Sequence, residues 1–211
     1  MDEGRKERLA GFLGLFGTLL LALGLPLSIY LYNLHPHNIQ KSYSLFNCFI
    51  SELGWMRRTD YTWVFGASIF FGGILCIPAL WTAGLRLKAK LARIASAICM
   101  VAAFFGACVG LVPMDFFLVH TLLAFGYFIG WLVAAGLFSA VLLREGQGPL
   151  RRSLGVYCLL SALLGVVFIV VSHLMFRKFF GQCNLGNVLD FIDTFKRPDF
   201  WLPAVLEWLM L

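Results

Sequence analysis

The chain has 211 residues, of which 60% are hydrophobic and 13% charged, with a formal net charge of +6 and a mean hydropathy of +0.84. Such a balance excludes an ordinary soluble domain. The positive surplus sits in short connectors between apolar runs, so it points to membrane topology and not to nucleic acid.

In chain order, the runs 9–34, 61–85, 94–114, 116–143 and 153–176 contain no Asp, Glu, Lys or Arg. Each exceeds the ~20 residues that a helix needs to cross ~30 Å of hydrocarbon. A sixth segment, 199–211, reaches only part of the way at ~1.5 Å per residue, so a short or truncated sixth helix is expected. The expected fold is all-α, a polytopic six-helix transmembrane bundle forming a single integral membrane domain over 1–211. The first run lacks a small-residue cleavage site and is read as a signal anchor.

Basic residues collect before span one (Arg5, Lys6, Arg8), between spans two and three (Arg86, Lys88, Lys90, Arg93) and between spans four and five (Arg144, Arg151, Arg152). The positive-inside rule then predicts a cytoplasmic N-terminus. It places the long loop of residues 33–60, the Pro113-Met114-Asp115 turn and the fifth loop, 177–199, on the outer or lumenal side.

Within span one, Gly11, Gly14 and Gly17 form a small-residue face suited to close helix packing, and Pro26 predicts a kink. Span two holds Gly66, Gly72, Gly73 and Pro78. Gly106-x-x-x-Gly110 and Gly126-x-x-x-Gly130 predict a tight hairpin of spans three and four. Residues 45–55 are too apolar for a free loop and are expected to form a short interfacial or re-entrant element. Trp55, Trp63 and Trp201 are expected in an interfacial belt.

The chemistry-bearing residues converge on the same side. Glu52, in Ile50-Ser51-Glu52-Leu53-Gly54-Trp55, is a carboxylate at a membrane interface, which is costly unless paired, hydrated or used. His120 opens span four, His173 closes span five, Glu207 lies in span six, and Asp115 precedes His120 by five residues. These predict a polar cavity lined by Glu52, His120, His173 and Glu207. A catalytic version takes His120 as general base, with Asp115 or Glu52 orienting it and a lipid hydroxyl or ester as substrate. Asp115 has an alternative role as a partner for the start of span four. No cofactor is required. The four histidines, His35, His37, His120 and His173, keep zinc open as an alternative, although no HExxH or helical His pair is present. Haem ligation by His120 and His173 is a further alternative.

Of six cysteines, Cys76, Cys99, Cys108 and Cys158 fall in spans and read as small apolar fillers. Cys48 and Cys183 both lie in outer loops and are a disulfide candidate. No CxxC is present, so a disulfide oxidoreductase has no support.

With Ile50-Ser51-Glu52-Leu53-Gly54 ahead of span two, Val119-His120 opening span four and Glu207-Trp208 in span six, the chain resembles a six-span superfamily. That superfamily contains the damage-regulated autophagy modulators (DRAM proteins), the lumenal GPI-anchor lipid-remodelling protein and prokaryotic membrane proteins of unknown function. Its loop reads like Ile-Ser-(Asp/Glu)-x-Gly and its last span carries Glu-(Trp/Tyr), which match Ser51, Glu52, Gly54, Glu207 and Trp208. A proline and an acid usually follow that loop, whereas Arg58-Thr59-Asp60 keeps only the acid. The resemblance implies lipid biology at the outer or lumenal leaflet. The leading expectation is therefore lipid binding with remodelling by acyl transfer or hydrolysis, with Ser51, Gly54, His173, Glu207 and Trp208 holding the lipid. Alternatives are a non-catalytic lipid-binding regulator and, third, a transporter. The expected partner is a membrane lipid, and a second copy or another membrane protein stays open.

Overall fold

A computed structural model describes residues 2–34, 42–87, 89–145, 149–180 and 198–210. Among them are six α-helices and no strand: α1 (Glu3–Leu34), α2 (Thr62–Arg86), α3 (Lys90–Leu111), α4 (Phe117–Glu145), α5 (Pro149–Phe180) and α6 (Leu202–Leu209). A five-residue 3-10 turn, Ile50–Gly54, lies in the loop between α1 and α2. The first five helices are long and apolar enough to cross a membrane. α6, at ~1.5 Å per residue, spans roughly 12 Å and does not.

The helices overrun the apolar stretches. α1 begins within the charged tail, six residues before the expected span, and continues through Pro26. α5 extends to Phe180, beyond the expected end at 176. Helix formation outside hydrocarbon costs little when a long apolar helix already supplies the nucleus.

Side-chain placement inverts that of a soluble bundle. The buried face of α3 is Ala92, Ala95, Ser96, Cys99, Ala102 and Ala107, all small, whereas Val101 and Phe104 point outward. Leu15, Phe16, Leu23, Leu122, Phe125, Leu160 and Leu163 are likewise exposed. In lipid no apolar driving force favours burying large side chains, and small residues let helix backbones approach. Sequence neighbours pack on one another, α1 on α2, α2 on α3, α3 on α4 and α4 on α5, and short connectors make the last three pairs antiparallel.

Glycines set the closest crossings. Gly66 of α2 and Gly110 of α3 face each other's carbonyls so closely that a Cβ on either would overlap backbone. Gly110 thus serves α2, while Gly106, Gly126 and Gly130 pack within the expected α3–α4 hairpin against Tyr127, Phe105 and Ala102. In span one, Gly14 and Gly17 meet Ala79 and Gly72, but a Cβ on Gly11 would meet nothing within 4 Å among the described residues. Gly11 is therefore outside the packing face that the sequence pattern suggests.

One end of the bundle is basic, with the Arg86 guanidinium pairing bidentately with Glu7. At the other end, the 3-10 turn contacts α1, α2 and α6. α6 joins two apolar clusters there: Trp208 packs against the cluster formed by Leu25, Tyr32, Tyr43, Ile50, Leu53 and Phe65, while Leu206 and Met210 cluster with Phe168.

Candidate functional site

The loop between α1 and α2 is held from three sides, and each hold begins with a local feature of its sequence. Tyr43 enters first. Its backbone N–H donates to Asn33 Oδ1 at 2.6 Å, and its hydroxyl donates to the Phe49 carbonyl at 2.8 Å. The ring stands edge-on to Tyr32 at 5.2 Å and to Trp208 at 6.2 Å. Burial, reinforced by the carboxylates of Glu52 and Glu207, pushes the Tyr43 hydroxyl well above its ordinary value.

Glu52 occupies the third position of the 3-10 turn and reaches back, so that the Phe49 N–H donates to its Oε1 at 2.8 Å. Its other oxygen, Oε2, lies 3.2 Å from Arg58 Nη1, and the carboxylate is fully buried. The Arg58 guanidinium also bonds the Tyr32 hydroxyl and stacks 4.4 Å above the Trp55 ring. A buried carboxylate is tolerated here because its charge is neutralised and its lone pairs are used.

The second hold comes from α6. Glu207 Oε2 accepts the Ile50 N–H at 2.8 Å, Trp208 Nε1 donates to the Cys48 carbonyl at 3.2 Å, and the Trp201 N–H donates to the Phe46 carbonyl at 2.7 Å. Three backbone groups at alternate positions, 46, 48 and 50, are thereby satisfied by one short helix and its cap. This explains why an eight-residue helix stays docked: its Glu207 and Trp208 supply what a neighbouring strand would have supplied.

The third hold is the α3–α4 turn. The Met114 N–H donates to the Gly54 carbonyl at 3.1 Å, and Asp115 Oδ2 accepts the Met56 N–H at 2.9 Å. Asp115 Oδ1 also lies 3.9 Å from Arg57 Nε. Asp115 thus reaches across to the loop from its place just before α4. His120, in the first turn of α4, places Nδ1 at 2.7 Å from the Val112 carbonyl at the end of α3. A carbonyl only accepts, so Nδ1 carries the proton and Nε2 of the neutral ring presents a lone pair. That lone pair is buried and has no partner among the described residues.

The structure therefore gathers Glu52, Glu207, Trp208, Asp115 and Gly54 around one loop, and it places His120 against the α3–α4 turn that this loop contacts. Ser51 is half-buried beside Glu52. His173 is exposed on α5, unlike buried His120. Trp63 is exposed as an interfacial residue should be, but Trp55 and Trp201 are buried, because the first stacks under Arg58 and the second caps α6. Among the described residues, no three of His, Cys, Asp and Glu are arranged to hold a metal. His35, His37 and Cys183 lie outside the described residues, so the disulfide reading for Cys48 does too; Cys48 itself is buried, with Sγ 3.1 Å from Asn47 Oδ1. Sequence reasoning missed Arg58, Tyr32 and Tyr43. The signal for Arg58 was present: a cation six residues after an acid that needs one.

Residues 26–182 match the family described as "Protein of unknown function (DUF998)". The chain belongs to that family. The matched segment contains the loop, the α3–α4 turn and His120, and it stops before α6, so Glu207 and Trp208 lie outside it. No curated protein and no solved structure matches the chain. Kinship with DRAM-type and GPI-anchor remodelling proteins therefore rests on the short motifs alone. At this level the protein is an integral membrane member of an uncharacterised DUF998 family.

Proposed function

We propose that this protein binds a membrane lipid and acts as a non-catalytic regulator of membrane organisation. The observation that carries this reading is the use of the carboxylates. Glu52, Glu207 and Asp115 each accept a backbone N–H of the same loop, and Glu52 also pairs with Arg58. A carboxylate committed in this way is poorly placed to exchange protons with a substrate. An apolar rim surrounds the locked loop: Phe46 stacks on Phe200, both more than half exposed, and Trp63 and Phe116 are also exposed. Such a rim suits immersion in a leaflet. The basic connectors at the opposite end favour an extracytoplasmic position for the loop end.

A second reading, acyl transfer or hydrolysis, is favoured by the buried His120 Nε2 lone pair, which has the form of a general base. One experiment separates the two. Native mass spectrometry of the detergent-purified protein is combined with lipid profiling of the host membrane, with and without expression. The regulator reading expects a lipid-sized increment on the protein and no new lipid species. New lyso or acylated species that vanish in His120→Asn would favour the enzyme, and absence of any retained lipid together with an unchanged lipid profile would refute both.

A further inference from the structure

At the loop end, the buried Trp55 Nε1 and His120 Nε2 have no partner among the described residues. Trp55 is fully buried and His120 is 4% exposed. They flank one junction. Gly54 and Met56, on either side of Trp55, bond to Met114 and to the Asp115 side chain, and His120 bonds to Val112 two residues before Met114. The two atoms are also opposite in kind. Indole Nε1 only donates, whereas His120 Nε2 accepts, since the Val112 carbonyl holds the proton on Nδ1.

We infer that Trp55 Nε1 and His120 Nε2 together form a two-point site for the hydroxyl of an uncharged lipid. This rests on the lipid-binding reading and names the headgroup chemistry. A hydroxyl donates its proton to the imidazole lone pair and accepts from the indole N–H, so one group satisfies both atoms. An ammonium has nothing to accept with, and a phosphate diester has nothing to donate. A phosphate monoester carries charge into a buried place where Arg58 is already paired with Glu52 and stacked on Trp55. Leaving both atoms unsatisfied costs free energy that the lipid hydroxyl recovers on binding. Access from the bilayer is consistent with the neighbours of His120 on α4, since Leu118 and Val119 are both exposed.

The test uses a diacylglycerol with a photoactivatable acyl chain, presented to the full-length protein in phosphatidylcholine nanodiscs. Unlabelled diacylglycerol and phosphatidic acid with the same chains serve as competitors. Trp55→Phe removes the N–H but keeps a ring beneath Arg58. His120→Asn keeps a donor near the Nδ1 position for the Val112 carbonyl and removes Nε2. The expected result is saturable labelling, displaced by diacylglycerol in preference to phosphatidic acid, with affinity reduced about fivefold in each variant, as the loss of one hydrogen bond implies. Melting temperature and size-exclusion profile report folding; if Trp55→Phe fails to fold, His120→Asn alone decides. Unchanged affinity in a folded variant overturns the site and leaves an ordered water only as the occupant. Saturable binding of phosphatidic acid that ignores both variants also overturns it while sparing the lipid-binding reading. No saturable binding of either lipid refutes both.

Discussion

Replacing Glu52 distinguishes a structural carboxylate from a catalytic one. Glu52→Gln keeps an acceptor for the Phe49 N–H but removes the charge that faces Arg58 at 3.2 Å. Arg58 has only 10% of its side-chain surface exposed, so its guanidinium is left in a poorly hydrated place with the Tyr32 hydroxyl and the Trp55 ring as remaining partners. Removing one member of a buried pair costs about 3–5 kcal/mol, and the retained partners put this case at the low end, about 3 kcal/mol. Glu52→Ala adds the lost bond to Phe49, about 1–2 kcal/mol more. The double replacement Glu52→Leu with Arg58→Met removes both charges and should recover most of the loss that Glu52→Ala alone produces. Unfolding of the purified protein in detergent or bicelles, followed by thermal scan and limited proteolysis of the loop, measures all three. The order of stability expected is wild type, then the double replacement, then Glu52→Gln, then Glu52→Ala. A Glu52→Gln protein that is as stable as wild type but inactive in a lipid assay would refute the reasoning and return the carboxylate to chemistry.

Weakening the α6 clamp should be visible without loss of the five long helices. Trp208→Phe removes the bond to the Cys48 carbonyl, costs about 1 kcal/mol and raises the rate of loop proteolysis, with helical circular dichroism unchanged. Gly66→Ala drives a Cβ into the Gly110 carbonyl and should cost about 1–3 kcal/mol in thermal unfolding, whereas Gly11→Ala meets nothing and should be neutral or slightly stabilising. Alkaline pH should loosen the loop through Tyr43, whose folded-state hydroxyl lies above its unfolded value of about 10. The stability it contributes is full below pH ~10 and falls as the pH rises beyond that, because the unfolded chain releases the proton first. Unfolding midpoints from pH 8 to 11 measure this, and a slope that is unaltered in Tyr43→Phe would refute the assignment.

Five apolar runs free of charge were enough to locate the long helices, because the length and hydrophobicity that a bilayer demands are written locally in the chain. The glycines of the α3–α4 hairpin were legible for the same reason, although Gly110 turned out to serve α2 and Gly11 to meet no neighbour among the described residues. Glu52, His120, Asp115 and Glu207 could be singled out as expensive residues at an interface. What each is joined to could not, because the bond from Glu207 to Ile50 crosses 157 residues and that from Asp115 to Met56 crosses 59. Composition likewise placed Trp55 at the lipid surface, when Arg58 draws its ring inside. Local sequence sets where helices begin and how greasy they are, whereas the partner of a buried charge is chosen by packing. Only the tertiary structure decided that three carboxylates of this chain serve the backbone of one loop, while the imidazole of His120 keeps a lone pair to offer.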